Sequence, residues 1–314
     1  MDYLILIAGL VAIIAGANGL VSGASSLAKK YGISDMVIGL TIVGFGTSAP
    51  ELIINSIAAI KGSTGIAIGN VLGSNIANVF LILGIAAIIY PLKVADSARL
   101  RDIPISFVAV LVLGFMANDV WLGIGPSNSV VRADGIILLV CMAAYLFYTF
   151  KTAKKEEFEP EETTRIQPIW KSVSYIVVGL AGLFFGGQFF VDGAVNIARD
   201  LGMSERVIGL TIVAIGTSLP ELATSVVAAF KKKADIAVGN VVGSNIFNIF
   251  FILGTTSVIS PLPFETQANF DVLMVIIASA MLFITSFTFG KKKVDRIEGI
   301  IFLLIYIAYI IYIL

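Results

Sequence analysis

Gly39 to Leu52 reads GLTIVGFGTSAPEL, and it places an ionisable side chain, Glu51, inside an otherwise apolar segment. The stretch returns at Gly209 to Leu222 as GLTIVAIGTSLPEL, displaced by 170 residues with no gap and identical at 11 of 14 positions. Downstream of each copy, at the same distance, lies a second shared block. It reads GNVLGSNIANVFLILG from Gly69 and GNVVGSNIFNIFFILG from Gly239, identical at 12 of 16 positions. The chain is an internal duplication, and its organisation follows from that.

Composition sets the setting of the repeat. The 314 residues are 58% hydrophobic and 13% charged, with mean hydropathy +0.98, against about 25% charged residues in a soluble domain. These values describe an all-α polytopic membrane protein. Net charge is zero and the charges fall in short clusters between apolar runs, which gives no nucleic-acid-binding surface. Histidine is absent and Cys141 is the sole cysteine, which excludes the usual zinc sites and intrachain disulfides. The run from Tyr3 to Ala28 is longer than a signal-peptide core, has no basic leader and ends in Lys29 and Lys30, so it reads as a retained first helix.

Apolar runs able to cross roughly 30 Å of hydrocarbon occur about ten times, five in each half. They are expected near 3–28, 36–60, 65–90, 103–119, 130–150, 172–196, 206–230, 236–259, 270–289 and 297–313. The first repeat then occupies 1–150, a linker 151–171 and the second repeat 172–314. With the N-terminus outside, the inner loops hold 17 of the 21 lysines and arginines, leaving only Lys61, Arg132, Arg199 and Arg206 outside. Basic residues are retained preferentially on the cytoplasmic side, so both termini are expected outside and the linker in the cytoplasm. An odd number of spans per half makes the second half enter from the opposite side. Inverted repeats of this kind are a transporter architecture. The linker, with KKEEFEPEETTR at its centre, has the composition of a solvated connection without a core.

The chemistry sits in the repeated blocks. Pro50 and Pro220 lack an N–H and clash with the carbonyls of Gly46 and Gly216, so the helices should bend or break there. Freed carbonyls at membrane depth are ready cation ligands. Thr47 and Ser48 lie four and three residues before Glu51, so hydroxyl and carboxylate can project together, and Thr217, Ser218 and Glu221 repeat the arrangement. Asn70, Ser74 and Asn78 form one polar stripe, copied by Asn240, Ser244 and Asn248. Within these blocks Asn70, Asn75, Asn240 and Asn245 are expected to make interhelical hydrogen bonds, whereas Ser74, Asn78, Ser244 and Asn248 are expected at the site. Gly69 with Gly73, and Gly239 with Gly243, form small faces for close helix approach. A carboxylate at a helix centre costs roughly 2.5–3.5 kcal/mol of insertion, which a bound cation offsets. All the ligands on offer are oxygen, suited to calcium, magnesium, manganese or sodium.

With both copies of each motif in register, GTSAPEL and GTSLPEL with GNVLGSN and GNVVGSN resemble the alpha-repeats of the cation/calcium antiporter superfamily, most closely its prokaryotic sodium/calcium exchangers. The resemblance implies alternating access around a midplane site formed by the second, third, seventh and eighth helices. It implies calcium ligation by Glu51 and Glu221 with the carbonyls of Thr47 and Thr217. It further implies sodium sites using Ser48, Ser74, Ser218 and Ser244 and backbone oxygens of Gly44 and Ala214, with Asn78 and Asn248 completing the polar lining. Potassium-dependent relatives carry an acidic residue where this chain has Asn78 or Asn248. Proton-coupled relatives carry a further glutamate where it has Ser74 and Ser244. The expected function is therefore exchange of calcium for sodium in the plasma membrane, with calcium/proton antiport as the alternative. A passive channel or an ion-retaining receptor would share the ligands without coupling two fluxes. The motifs of an enzyme are missing, including a phosphate-binding GxxxxGK[ST] and a nucleophile elbow. No cofactor and no obligate protein partner are expected, the partners being the transported ions calcium and sodium and the lipid bilayer.

Overall fold

The computed structural model describes residues 2–62, 65–121, 123, 125, 127–153, 166–203, 216–287 and 292–313. Its helices are α1 (Asp2–Tyr31), α2 (Asp35–Thr47), α3 (Ala49–Ile60), α4 (Ala67–Ile89), α5 (Ile103–Met116) and α6 (Arg132–Thr152). They continue as α7 (Ile169–Asp200), α8 (Leu219–Phe230), α9 (Ala234–Ile259), α10 (Ala268–Thr285) and α11 (Arg296–Ile313). Seven of these are long and apolar enough to cross a membrane, and α2 with α3 forms an eighth span bent by 43°. The chain is thus an integral membrane protein. Outside these spans stand two shorter helices, α5 of 14 residues and α8 of 12 residues. A turn of π-helix over Ala98–Asp102 precedes α5, and residues 206–215 of the expected seventh span lie outside the described residues.

The bend between α2 and α3 falls at Ser48, with Pro50 in the first turn of α3. Pro220 holds the same place in α8. Proline is tolerated there because the first-turn N–H would have no helical acceptor anyway. Expected boundaries shift by three or four residues at five places. The first helix runs on to Tyr31, the fourth stops at Met116, the ninth at Thr285, and α7 runs from Ile169 to Asp200, longer than expected at both ends. Thr152 still belongs to α6, and the backbone N–H of Gln167 donates to Ser26 Oγ at 2.9 Å just before α7 begins. Residues 154–165 lie outside the described residues.

In lipid, apolar surface gives helices no reason to associate, so close approach and polar contacts have to hold them. The long α1 and α7 pack along each other through small residues. A Cβ placed on Gly16 would meet Gly179 O at 2.7 Å, and one on Gly179 would meet Gly16 O at 2.7 Å. On α9, a Cβ on Gly239 would meet Met36 O at 2.8 Å, so the glycine face lets α9 lie directly on α2. Gly69 and Gly73, the equivalent pair on α4, have nothing within 4 Å among the described residues.

Four two-residue strands lock the loops. β1 (Leu92–Lys93) pairs with β4 (Lys293–Val294), and β2 (Ser129–Val130) pairs with β3 (Leu262–Pro263), both antiparallel. The displacement of 170 carries β1 onto β3, so each half lends its first strand to the second strand of the other. Beside β1, Asp96 meets Lys292 at 3.0 Å and Arg99 at 2.7 Å. The Lys292 hydrogen bond is the leading cause that holds the Asp96 carboxyl below the usual range, against slight desolvation.

Candidate cation site

The two glutamates meet where the broken helix of the first half faces α8. Glu51 and Glu221 are buried, at 1% and 2% exposure, and Ser48 joins them: it precedes Glu51 by three residues and its Oγ donates to Glu221 Oε1 at 3.0 Å. Ser48 can do this because it sits at the break, where its backbone (φ −83°, ψ 4°) leaves the helical path of α2.

The helix α9 ties the parts together. Asn240 Nδ2 donates to Glu221 O at 3.2 Å and to Ser225 Oγ at 2.9 Å. Its Oδ1 accepts from Thr47 Oγ1 at 3.0 Å, and one turn further on Ser244 Oγ donates to Gly44 O at 3.3 Å. In the first half, Asn55 Nδ2 donates to Glu51 O at 2.7 Å. Each glutamate backbone is therefore gripped by an amide while its side chain faces the centre.

Where α4 crosses α9, four asparagines form a two-fold ladder. Asn78 Nδ2 donates to Asn245 Oδ1 at 2.9 Å, and Asn248 Nδ2 donates to Asn75 Oδ1 at 2.8 Å. Longer contacts run from Asn75 Nδ2 to Asn245 O (3.4 Å) and from Asn245 Nδ2 to Asn75 O (3.5 Å). With the nitrogens of Asn78 and Asn248 used in the ladder, their oxygens are left to other partners. Turns of π-helix begin at this level, over Asn78–Leu83 in α4 and Phe247–Leu253 in α9. Single π-turns inside α-helices are frequently found at functional sites.

The outcome is a set of acceptors without donors. Glu51 Oε1 and Oε2, Glu221 Oε2, Asn78 Oδ1 and Asn248 Oδ1 are all buried, with no hydrogen-bond partner among the described residues. An orphaned buried polar atom costs about 1–3 kcal/mol, and native folds carry few of them. Five oxygens orphaned together, two residues of them carboxylates, can be satisfied by a cation. Among the described residues no group of three or more His, Cys, Asp or Glu gathers, and the hydroxyls, amides and carbonyls beside the two glutamates are a donor set suited to calcium and sodium.

Thr47, Ser48, Ser74, Ser218, Ser244, Asn78 and Asn248 are all buried at this level, and Thr217 is half-buried, its Oγ1 without a partner among the described residues. Ala214 lies outside the described residues. The Thr47 hydroxyl points to Asn240 and Val43 O rather than alongside the Glu51 carboxylate. Of the four asparagines expected to make interhelical bonds, Asn75, Asn240 and Asn245 do, while Asn70 Nδ2 has no partner. Asn55 and Ser225 were not among the expected residues. They occupy equivalent positions four residues beyond each glutamate, and a small polar residue at that place in both copies is the signal that marks them.

A bent, glycine-packed membrane protein with paired buried carboxylates among orphaned oxygens belongs to the class of cation transporters. The chain belongs to the sodium/calcium exchanger family, which matches residues 1–151 and 171–314 and leaves out only the linker. It is 34% identical over 343 residues to the sodium/calcium exchanger MaX1 of Methanosarcina acetivorans, covering 99% of this chain and 98% of that one. It is 39% identical over 310 residues to the putative antiporter CaxA of Alkalimonas amylolytica, covering 96% and 95%. The fold matches the sodium-calcium exchanger NCX_Mj soaked with zero sodium and calcium. That match has TM-score 0.85 and 33% identity, over 100% of this chain and 99% of the other.

Proposed function

We propose that this protein is a secondary antiporter that exchanges calcium for sodium by alternating access at one midplane site. The observation that carries the reading is the cluster of five orphaned acceptor oxygens on Glu51, Glu221, Asn78 and Asn248. Two carboxylates balance one calcium ion, with the carbonyls of Thr47 and Thr217 assisting. Sodium, which needs weaker ligands, is held by Ser48, Ser74, Ser218 and Ser244 and by the backbone oxygens of Gly44 and Ala214. No covalent chemistry is involved.

The architecture proposed is ten transmembrane helices in two inverted repeats, 1–150 and 172–314, joined by a linker. The exchange of strands between halves supports it, since equivalent loops pair at separate places in the fold. In the orientation given by the basic residues, the protein lies in the plasma membrane with both termini outside and the linker in the cytoplasm. The two halves differ at the site, as inverted repeats caught in one access state would. Thr47 bonds Asn240, whereas among the described residues their equivalents Thr217 Oγ1 and Asn70 Nδ2 have no partner. A cavity of about 200 Å³ reaches Thr217 between α3 and α7. Calcium uptake by sodium-loaded proteoliposomes tests the function, and Glu51→Gln and Glu221→Gln should each abolish it.

A further inference from the structure

The displacement of 170 holds outside the two motifs as well. It carries Gly9, Gly16 and Gly23 of α1 onto Gly179, Gly186 and Gly193 of α7. It also carries Asn18 and Ser22 onto Gln188 and Asp192, and Lys61 onto Lys231. The seam between α8 and α1 therefore has an equivalent, the seam between α3 and α7, and the two differ.

At the first seam Lys231, which follows the last turn of α8, donates from Nζ to Ser22 Oγ at 2.8 Å and to Asn18 O at 3.0 Å. At the second a cavity of about 200 Å³ stands between α3 and α7, lined by Ile53, Ile54, Gln188, Asp192 and Thr217. Lys61 follows the last turn of α3 as Lys231 follows that of α8. Both Lys61 and the Asp192 side chain are exposed, and among the described residues neither has a hydrogen-bond or ion-pair partner. One seam is latched and its counterpart is open.

We propose that Lys61 and Asp192 are positioning residues for exchange, closing the second seam in the opposite-facing state while Lys231 releases Ser22 and Asn18. The inference rests on the antiport reading, in which inverted repeats trade conformations as access alternates. Contacts made here by Lys231 are then made there by Lys61, on the Asp192 carboxylate and the Gln188 carbonyl. The two latches are not chemically equal. Lys231 meets a hydroxyl and a carbonyl, both neutral, whereas Lys61 would meet a full negative charge, so the second latch is the stronger. At an exposed rim an ion pair shifts a two-state balance by up to about five-fold.

The test uses the full chain in proteoliposomes, in a Cys141→Ala background that leaves no native thiol. Two double variants, Lys61→Cys with Asp192→Cys and Ser22→Cys with Lys231→Cys, are treated with a short, reducible thiol-to-thiol cross-linker while they exchange calcium. Both pairs should cross-link, each reaction should arrest calcium flux, and reductant should restore it. Failure of the Lys61/Asp192 pair to cross-link in vesicles that still exchange calcium would overturn the latch and leave the antiport reading intact. Absence of gradient-driven calcium flux in the unmodified protein would sink the antiport reading itself. If a double-cysteine variant is not recovered in the membrane, charge reversal decides. Lys61→Asp or Asp192→Lys alone should slow exchange several-fold, and the two together should restore it. A swap that gives no recovery would also overturn the latch.

Discussion

Replacing Glu51 by glutamine should make the ion-free protein more stable while removing its response to calcium. In the structure Glu51 is 1% exposed and both carboxylate oxygens lack a donor. Glutamine keeps the shape, removes the charge and brings an NH₂ donor into a cage of acceptors. An uncompensated carboxylate at a helix centre costs roughly 2.5–3.5 kcal/mol, of which the amide should recover about 1–3 kcal/mol. At about 2 °C per kcal/mol for a chain of this size, the ion-free variant should melt about 2–6 °C above wild type. Calcium at about 100 times its Kd adds about 2.7 kcal/mol to a protein that binds it only when folded, so wild type should rise by about 5 °C and the variant hardly at all. Glu221→Gln should gain less, since Glu221 Oε1 already accepts from Ser48. Thermal unfolding in detergent, followed by circular dichroism with chelator and then with calcium, reads all three values. A Glu51→Gln protein that melts lower without ions, or that keeps the calcium shift, would refute the two-carboxylate cage.

Three further outcomes are expected. Asn75→Ala takes away the acceptor of Asn248 Nδ2, orphaning a buried amide at about 1–3 kcal/mol, so unfolding should shift down and the apparent calcium affinity should weaken. An affinity equal to wild type would show that the ladder does not aim Asn248. Deleting part of Glu156 to Thr164 should leave basal exchange intact, because its composition cannot form a core and the family match omits it, and loss of flux in a correctly inserted deletion variant would contradict this. Exchange should be electrogenic, since the oxygens of the site exceed what two sodium ions need. Each charge moved is worth about 2.3 kcal/mol per 100 mV, so an inside-positive potential should speed calcium uptake into sodium-loaded vesicles, and uptake indifferent to potassium-diffusion potentials would mean an electroneutral cycle.

What could be read from the chain before its structure was the chemistry that leaves a compositional trace. A glutamate in an apolar run, a proline two residues before the end of a repeated block and a polar stripe at helical spacing locate the break, the carboxylates and the helices that carry Asn78 and Asn248. The direction of each polar group had no such trace. Thr47 lies a helical turn from Glu51, yet its hydroxyl turns to Asn240, because the partner helix α9 offers an acceptor there that spacing along one helix does not reveal. The π-turns at Asn78 and Phe247 lie in almost wholly apolar runs with no periodic mark of their own, and strands of two residues are too short to make a pattern. Least visible was the difference between the halves. The motifs are nearly identical, so nothing in them says that Lys231 is bonded while Lys61 is free among the described residues.

Calcium uptake by proteoliposomes under separately imposed sodium, proton and potassium gradients tests the account most directly. It predicts that an outward sodium gradient alone drives calcium accumulation in wild type, that proton and potassium gradients do not once the voltage is clamped, and that Glu51→Gln and Glu221→Gln are each inactive. Accumulation driven by a proton gradient without sodium, or calcium entry that follows its own gradient regardless of any other ion, would contradict it.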